Sequence, residues 1–343
     1  MNRILILINL LLFLLAFQIS WGQSESNNWY FGKNAGLNFS GPSPTALTGG
    51  MVNAQGGSAT ISDSNGNLLF YTNGMTVWNK NHNPMPNGSG LLGHASATQN
   101  SIIIPKPGSP NIYFVFTNDK SDGTEGLRYS EVDISLAGGL GDVTTNKNLQ
   151  VVDSTAEKLT ATYHANETDV WVITHGRNND SFHAVLVSSL GVGTAVVSNT
   201  GTQHSGVAPN NSVLEGQMKV SPNGTKIALA TPANGYTFEI FDFNNTSGAV
   251  SNAITISGPT YDTPYGVEFS PDGTKLYCST TNNNKVYQFN MQAGSGAAII
   301  ASGQLVITSA STNIGGMQIG PDSKIYLGRY NNNYVGVINF PNS

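Results

Sequence analysis

The sequence predicts an all-β chain folded as a ring of four-stranded antiparallel blades, a β-propeller, and three observations carry that prediction. A strand–turn–strand unit recurs at near-constant spacing in the second half of the chain. Looser copies of the same unit fill the first half. Charge is sparse, at 10% of residues, while Gly alone contributes 39 of 343, a composition of many tight turns and few long helices.

The repeat is clearest in three segments: Met218-Lys219-Val220-Ser221-Pro222-Asn223-Gly224, then Val267-Glu268-Phe269-Ser270-Pro271-Asp272-Gly273, then Met317-Gln318-Ile319-Gly320-Pro321-Asp322-Ser323. Their prolines at 222, 271 and 321 lie 49 and 50 positions apart. Pro presets φ at the first turn position, and Gly or Asn accepts the left-handed backbone that the reversal needs. Strands joined so tightly pair antiparallel. A third alternating strand follows each hairpin, as in Phe238-Glu239-Ile240-Phe241, and a fourth apolar run such as Leu305-Val306-Ile307 comes next in several units. Four strands at a pitch of about 44 to 58 residues is the signature of propeller blades. A sandwich would not repeat one four-strand unit in this way.

The elements follow in order. Residues 1–22 read as a cleaved signal peptide: Arg3 supplies a positive start, Ile4 to Phe17 is apolar, and Ser20 and Gly22 put small side chains before the cleavage point. The apolar run is shorter than the roughly 20 residues that span a bilayer. Residues 23–343 are then one propeller domain. Its first pair of strands is Trp29-Tyr30-Phe31 with Gly36-Leu37-Asn38-Phe39, occupying second and third positions without an innermost strand. Looser hairpins start at Ala59, Ile102 and Ala161, and the three regular units complete the count. Seven blades result, with six as the alternative. The last blade, near Lys324 to Phe340, lacks its outermost strand, so the ring is expected to close incompletely and the chain to be truncated at its C-terminus.

Composition excludes several function classes. The full chain carries a net charge of −5, and loss of Arg3 takes it to about −6. An acidic surface without a Lys/Arg cluster argues against nucleic acid and anionic membrane as partners. No further stretch is long and apolar enough to insert in a membrane. The single cysteine, Cys278, forbids an internal disulfide and lies in an alternating apolar run, where it reads as a small buried hydrophobe. No nucleophile elbow, His-Glu-x-x-His helix or phosphate loop is present.

Several runs resemble a family of exported Bacteroidetes propellers of the YVTN- and WD-repeat-like kind. They are the opening Asn28-Trp29-Tyr30-Phe31-Gly32, the run Gly66 to Asn79 containing Trp78, Met85-Pro86-Asn87-Gly88, Glu157-Lys158-Leu159, and Val170-Trp171-Val172-Ile173-Thr174-His175. The resemblance implies the N-terminal part of a gliding-motility-associated surface protein handled by type IX secretion. It implies no catalytic residues. The chain departs from that pattern by ending at Asn342-Ser343, without a closing strand, adhesive repeats or a sorting domain.

Candidate site residues are few. His164, His175 and His183 fall in one blade, where adjacent strands could bring two imidazoles together. Their spacing matches no zinc signature, so binding or purely structural roles are expected rather than a metal. Asp63, Asn65 and Asn67 place oxygens at alternate positions, as calcium loops do, yet lack the completing bidentate Glu. They also occupy a turn that needs Asx and Gly anyway. One register of the innermost strands carries Thr60, Thr162, Lys219, Glu268 and Gln318. These could line the channel, but packing between blades is expected, because blade faces are mostly buried. Trp29, Trp78 and Trp171 are expected in the inter-blade core.

The resulting expectation is a secreted or cell-surface, non-catalytic module, monomeric and without cofactors, that recognises protein or polysaccharide through one ring face. The alternative is a lactonase-like or glycan-cleaving hydrolase or lyase with a site at the channel mouth. A perturbed carboxylate beside a histidine would favour that alternative; an open face with exposed aromatics would favour the first reading.

Overall fold

The computed structural model describes residues 24–205, 212–232, 237–310 and 313–343. The expected signal peptide lies outside these residues. Seven antiparallel sheets form, one per blade, so the count is seven and not six. Blade 1 holds Asn28–Phe31, Ala35–Asn38 and Thr45–Leu47, and blade 2 holds Ala59–Ser62, Leu68–Thr72, Thr76–Asn79 and Pro84–Ser89. In blade 3 the strands Ser101–Pro105, Ile112–Asn118 and Leu127–Asp133 are followed by two short segments, Asp142–Val143 and Leu149–Val152. Both segments pair with Leu127–Asp133 in the outermost position. Blade 4 is Thr155–Tyr163, Val170–Gly176, Ser181–Ser188 and Gly191–Asn199. Blade 5 is Met218–Val220, Lys226–Thr231, Thr237–Asn244 and Ala249–Ser257. Blade 6 is Pro264–Phe269, Lys275–Thr280, Lys285–Asn290 and Gln304–Thr308, and blade 7 is Ile314–Ile319, Ile325–Arg329 and Gly336–Ile338.

The three Pro-Asx hairpins share one hydrogen-bond pattern. In blades 5 and 6 the N–H of Ser221 or Ser270 reaches the carbonyl of Lys226 or Lys275 at 2.9 Å, and Gly224 or Gly273 donates back to that serine at 2.8 Å. Blade 7 shortens the loop by one residue: Gly320 N–H donates to Lys324 O, and Ser323 takes the left-handed position at φ 59°, where the other two blades have glycine. These hairpins define the lower face. The opposite, upper face carries the segments that lead into each innermost strand and the loops between second and third strands.

The core lies between blades. Trp171 of blade 4 is buried against Phe243 of blade 5 and donates its indole N–H to Asn245 O at 2.8 Å. Cys278 is packed in the cluster shared by blades 5 and 6, and burial pushes its thiol well above the usual range. Trp78 is buried and stacks on Tyr71.

The two incomplete blades meet without sharing a sheet. Trp29 and Phe39 of blade 1 pack on Tyr326 of blade 7, with ring centroids 5.5 and 5.3 Å apart and near-perpendicular planes. Blade 1 has no innermost strand among the described residues, and side chains from blade 2 bond to its bare inner edge. Tyr30 N–H donates to Thr60 Oγ1 at 3.0 Å, and Ser58 Oγ donates to Tyr30 O at 2.8 Å. As expected, blade 7 lacks an outermost strand among the described residues, and aromatic rings fill its seam with blade 1. The C-terminal residues turn back onto blade 6, where Pro341 O accepts from the Tyr277 hydroxyl at 2.9 Å.

Candidate functional site

Groups on blades two apart can meet only across the ring axis, and several do. Gln99, just before the innermost strand of blade 3, reaches blade 5. Its Nε2 donates to Met218 O at 2.9 Å, and its Oε1 accepts from Met218 N at 2.7 Å and from Leu159 N of blade 4 at 3.3 Å. Gln217, just before the innermost strand of blade 5, repeats the device on blade 7, bonding Met317 N at 2.7 Å and Met317 O at 3.3 Å. Each carboxamide stands in for a strand peptide, offering one donor and one acceptor to a backbone that would otherwise lack a partner.

Beside the glutamines, Glu157 accepts three hydrogen bonds: from Thr98 N at 2.8 Å, Thr98 Oγ1 at 2.9 Å and Ser121 N at 2.7 Å. Lys158 is fully buried and donates to the main-chain oxygens of Glu215 and Gly216. Burial lowers its pKa to about 7, against the partial compensation of Glu157, Glu215 and Glu239. Glu215 is raised by burial, and Tyr265, bonded to Thr98 Oγ1, is pushed up to about 12. These are the chemical types of an acid–base site. Here, however, Glu157 and Lys158 are bonded to protein groups and turned away from solvent.

Farther along the axis, Lys219, Glu268 and Gln318 come together from blades 5, 6 and 7. Lys219 Nζ lies 3.2 Å from Glu268 Oε2 and bonds Gln318 Oε1, while Glu268 also accepts from Ile319 N at 3.2 Å. Burial raises the Glu268 pKa, and Lys219 opposes that rise. The expected packing between blades describes Glu268, which is buried and accepts from Ile319 N of the next blade, but not the Lys219–Gln318 contact, which joins blades two apart. It also describes Thr60, at the edge of blade 1, and Thr162, whose hydroxyl lies against the Gly224 turn of blade 5.

The histidines of blade 4 are not brought together. His164 sits in the lower-face turn, with Nε2 against Thr246 O at 3.1 Å and Nδ1 accepting from Asn166 N. His175 is at the other end of the blade, and His183 is half-buried opposite Thr174, on the neighbouring strand. His175 instead stacks on His204, a residue the sequence reading passed over, with centroids 3.6 Å apart and planes 20° off parallel. Rings stacked in this way direct their in-plane lone pairs side by side rather than at a common ion. Among the described residues no group of three or more His, Cys, Asp or Glu is placed to hold a metal.

The Asp63 loop is self-satisfied. Asp63 Oδ1 accepts from Asn65 N and Asn67 N at 2.9 Å, and Oδ2 accepts from Asn67 Nδ2 at 3.0 Å. Desolvation opposes these bonds, but they prevail and lower its pKa. The oxygens that resembled calcium ligands thus make a turn.

On the upper face the surface differs. Tyr330 is 61% and Tyr334 76% exposed in the blade 7 loop between second and third strands; Met51 leads into blade 2, and Met75 lies in the corresponding loop of that blade, both exposed. Blades 7, 1 and 2 are consecutive around the closed ring, so these side chains form an arc on one side of the face.

No family model matches the chain, and no curated protein matches it. Among solved structures it is similar to the β-propeller domain of Cps50 (Swd1) from Myceliophteria thermophila, at 11% identity and a TM-score of 0.53, covering 92% of this chain and 97% of that one. It is similar to Kuenenia stuttgartiensis hydrazine synthase at 14% identity and a TM-score of 0.52, over 92% and 95% of the two chains. A protein from Lactobacillus plantarum gives 14% identity and a TM-score of 0.54, over 88% and 86%. At such identities the likeness is one of fold, and the fold is a seven-bladed β-propeller. No helix among the described residues is long and apolar enough to cross a membrane.

Proposed function

We propose that this chain is a non-catalytic binding module of an exported surface protein, recognising protein or polysaccharide through the upper-face arc over blades 7, 1 and 2. The observation that carries the reading is the contrast within that face. Tyr330, Tyr334, Met51 and Met75 present apolar surface to solvent, whereas Glu157 and Lys158 near the axis are bonded to the protein itself. Exposed tyrosines supply large, rigid contact area at low entropic cost and are enriched at binding hot spots. A hydrolase would need a carboxylate or amine free to meet substrate, and in Glu157 and Lys158 those groups are already bonded. Export is supported by the signal-peptide pattern of residues 1–22.

The test is a glycan-array and surface-protein binding screen with the mature chain, repeated with Tyr330→Ala/Tyr334→Ala. The reading expects a ligand whose affinity falls at least about tenfold in the variant while the melting temperature stays unchanged. Binding indifferent to both tyrosines would count against this face.

A further inference from the structure

The His175–His204 stack joins the end of blade 4's second strand to the segment that follows its outermost strand, and no role in the proposed binding face accounts for it. Both rings are almost fully excluded from solvent, at 1% and 0% exposure. His175 donates Nδ1–H to Gly176 O at 2.8 Å. Among the described residues neither His204 nitrogen has a hydrogen-bond partner; Nε2 stands 3.9 Å from Glu239 Oε2, beyond hydrogen-bond range but within reach of an ion pair. The stack backs onto Phe182, whose ring meets His175 edge-on at 4.7 Å.

The segment bearing His204 bonds, among the described residues, to the loop after His175 and to Glu239, with Gln203 Nε2 donating to Asn178 O at 3.1 Å. Its main chain exchanges hydrogen bonds with the loop after His175: Asn178 N–H donates to His204 O at 2.8 Å, and His204 N–H to Asn179 O at 2.9 Å. Two residues earlier, Thr202 donates its N–H and hydroxyl to the Glu239 carboxylate at 3.0 and 2.6 Å. The charged groups facing the stack are Lys158 from the innermost strand of blade 4 and Glu239 from blade 5. Lys158 in turn faces Glu157 and Glu215. A proton on either imidazole therefore adds positive charge next to a second ring and a buried amine. Glu239 is the one carboxylate at hand, and it is already committed to Thr202 and to Thr255 Oγ1. Two stacked cations 3.6 Å apart in a dry site repel strongly.

We propose that the His175–His204 stack is an acid-released latch: protonation parts the two rings, releases Thr202 and His204 from Asn178, Asn179 and Glu239, and loosens the blade 4–blade 5 seam while the rest of the ring stays folded. Neutral imidazoles stack without adding charge beside Lys158, so the latch is closed at neutral pH. Burial holds both imidazoles well below their usual pKa, helped by His204 at His175 and by Lys158 at His204, which places release in the acidic range.

The test is amide hydrogen exchange of the mature chain at pH 7.5 and pH 5.0, each rate normalised to its intrinsic chemical rate. Two non-titrating variants, His175→Phe/His204→Phe and His175→Gln/His204→Gln, are run alongside, and whichever melts within a few degrees of wild type at pH 8 serves as control. The latch predicts that wild-type peptides covering 176–182 and 199–205 lose at least tenfold in normalised protection at pH 5.0. Peptides from blades 2 and 6 are to keep theirs, and the control is to show no local loss. Unchanged wild-type protection, an equal loss in the control, or a loss spread over all blades would each overturn it.

Discussion

Between blades 4 and 5 the seam is deep: Trp171 is buried to 4% exposure, and the stacked His175 and His204 are almost fully excluded from solvent. Between blades 7 and 1 the two ends of the ring meet with no strand in common, and Trp29, Phe39 and Tyr326 close the gap. Aromatic rings fill the wedge between these two three-stranded sheets, and side chains from the neighbouring blade bond to the bare strand edge of blade 1. Thr60 and Ser58 do this for Tyr30. The cost is that apolar surface near this seam stays uncovered, and the proposed binding arc lies there.

The largest expected difference concerns the two tryptophans. Trp171→Ala opens a cavity in a closed seam and abandons Asn245 O, for a loss of about 3–5 kcal/mol. Trp29→Ala, at a partly exposed position, is expected to cost about half as much, because water and neighbouring rings can refill the space. Urea unfolding of both variants checks this; equal losses would erase the distinction between the seams. Next come the axial carboxamides. Gln99→Ala strands three backbone groups and Gln217→Ala two, so Gln99→Ala is expected to lose about 2–3 kcal/mol and Gln217→Ala about 1–2 by the same measurement.

The pH dependence sharpens the contrast further. The unfolded chain takes up protons on His175 and His204 below about pH 6.5, which the folded chain resists. The histidine contribution is therefore fully present above that pH and falls as the solution is acidified, by up to about 1.4 kcal/mol per pH unit per ring. Lys158 acts with the same sign at higher pH. Its folded pKa is about 7, while in the unfolded chain it stays charged to about pH 10.4, so stability should climb across that interval. Urea midpoints from pH 5 to 10 would show both limbs, and the acidic limb should vanish in the His175→Phe/His204→Phe variant. A smaller effect is expected at the blade 1 edge, where Thr60→Val leaves Tyr30 N–H unpaired for about 1 kcal/mol. The smallest is a gain: Ser323→Gly relieves a left-handed serine in the blade 7 turn and should stabilise by about 0.5–1 kcal/mol in thermal unfolding.

The hairpins were legible in the sequence because their chemistry is local. Pro222, Pro271 and Pro321 with their Asx and Gly neighbours specify a turn within seven residues, and repetition does the rest. The axial bracing was not, since Gln99 bonds a residue 119 positions away and Gln217 one 100 away, and a glutamine before a strand has no periodic signature. The placement of a glutamine directly before Met218, and of another two residues before Ser101, was the available signal. His204 was missed for a related reason. It sits in a connection without alternation, and only the approach of two blades makes it His175's neighbour. The grouping of His164 with His175 failed because one lies in the lower-face turn and the other near the upper face, a full strand apart. The Lys219–Gln318 contact between blades 5 and 7 was not legible, since strand alternation alone does not say which polar side chains of one register meet across the axis.

The most direct test of the binding account is hydrogen-exchange footprinting of the mature chain with a ligand recovered from the binding screen. Protection is predicted in the peptides spanning 329–335, 49–53 and 73–76, on the arc over blades 7, 1 and 2. Protection confined to 157–158, 215–217 and 265, around the axis, would contradict it and would place recognition among the buried acid and amine groups instead.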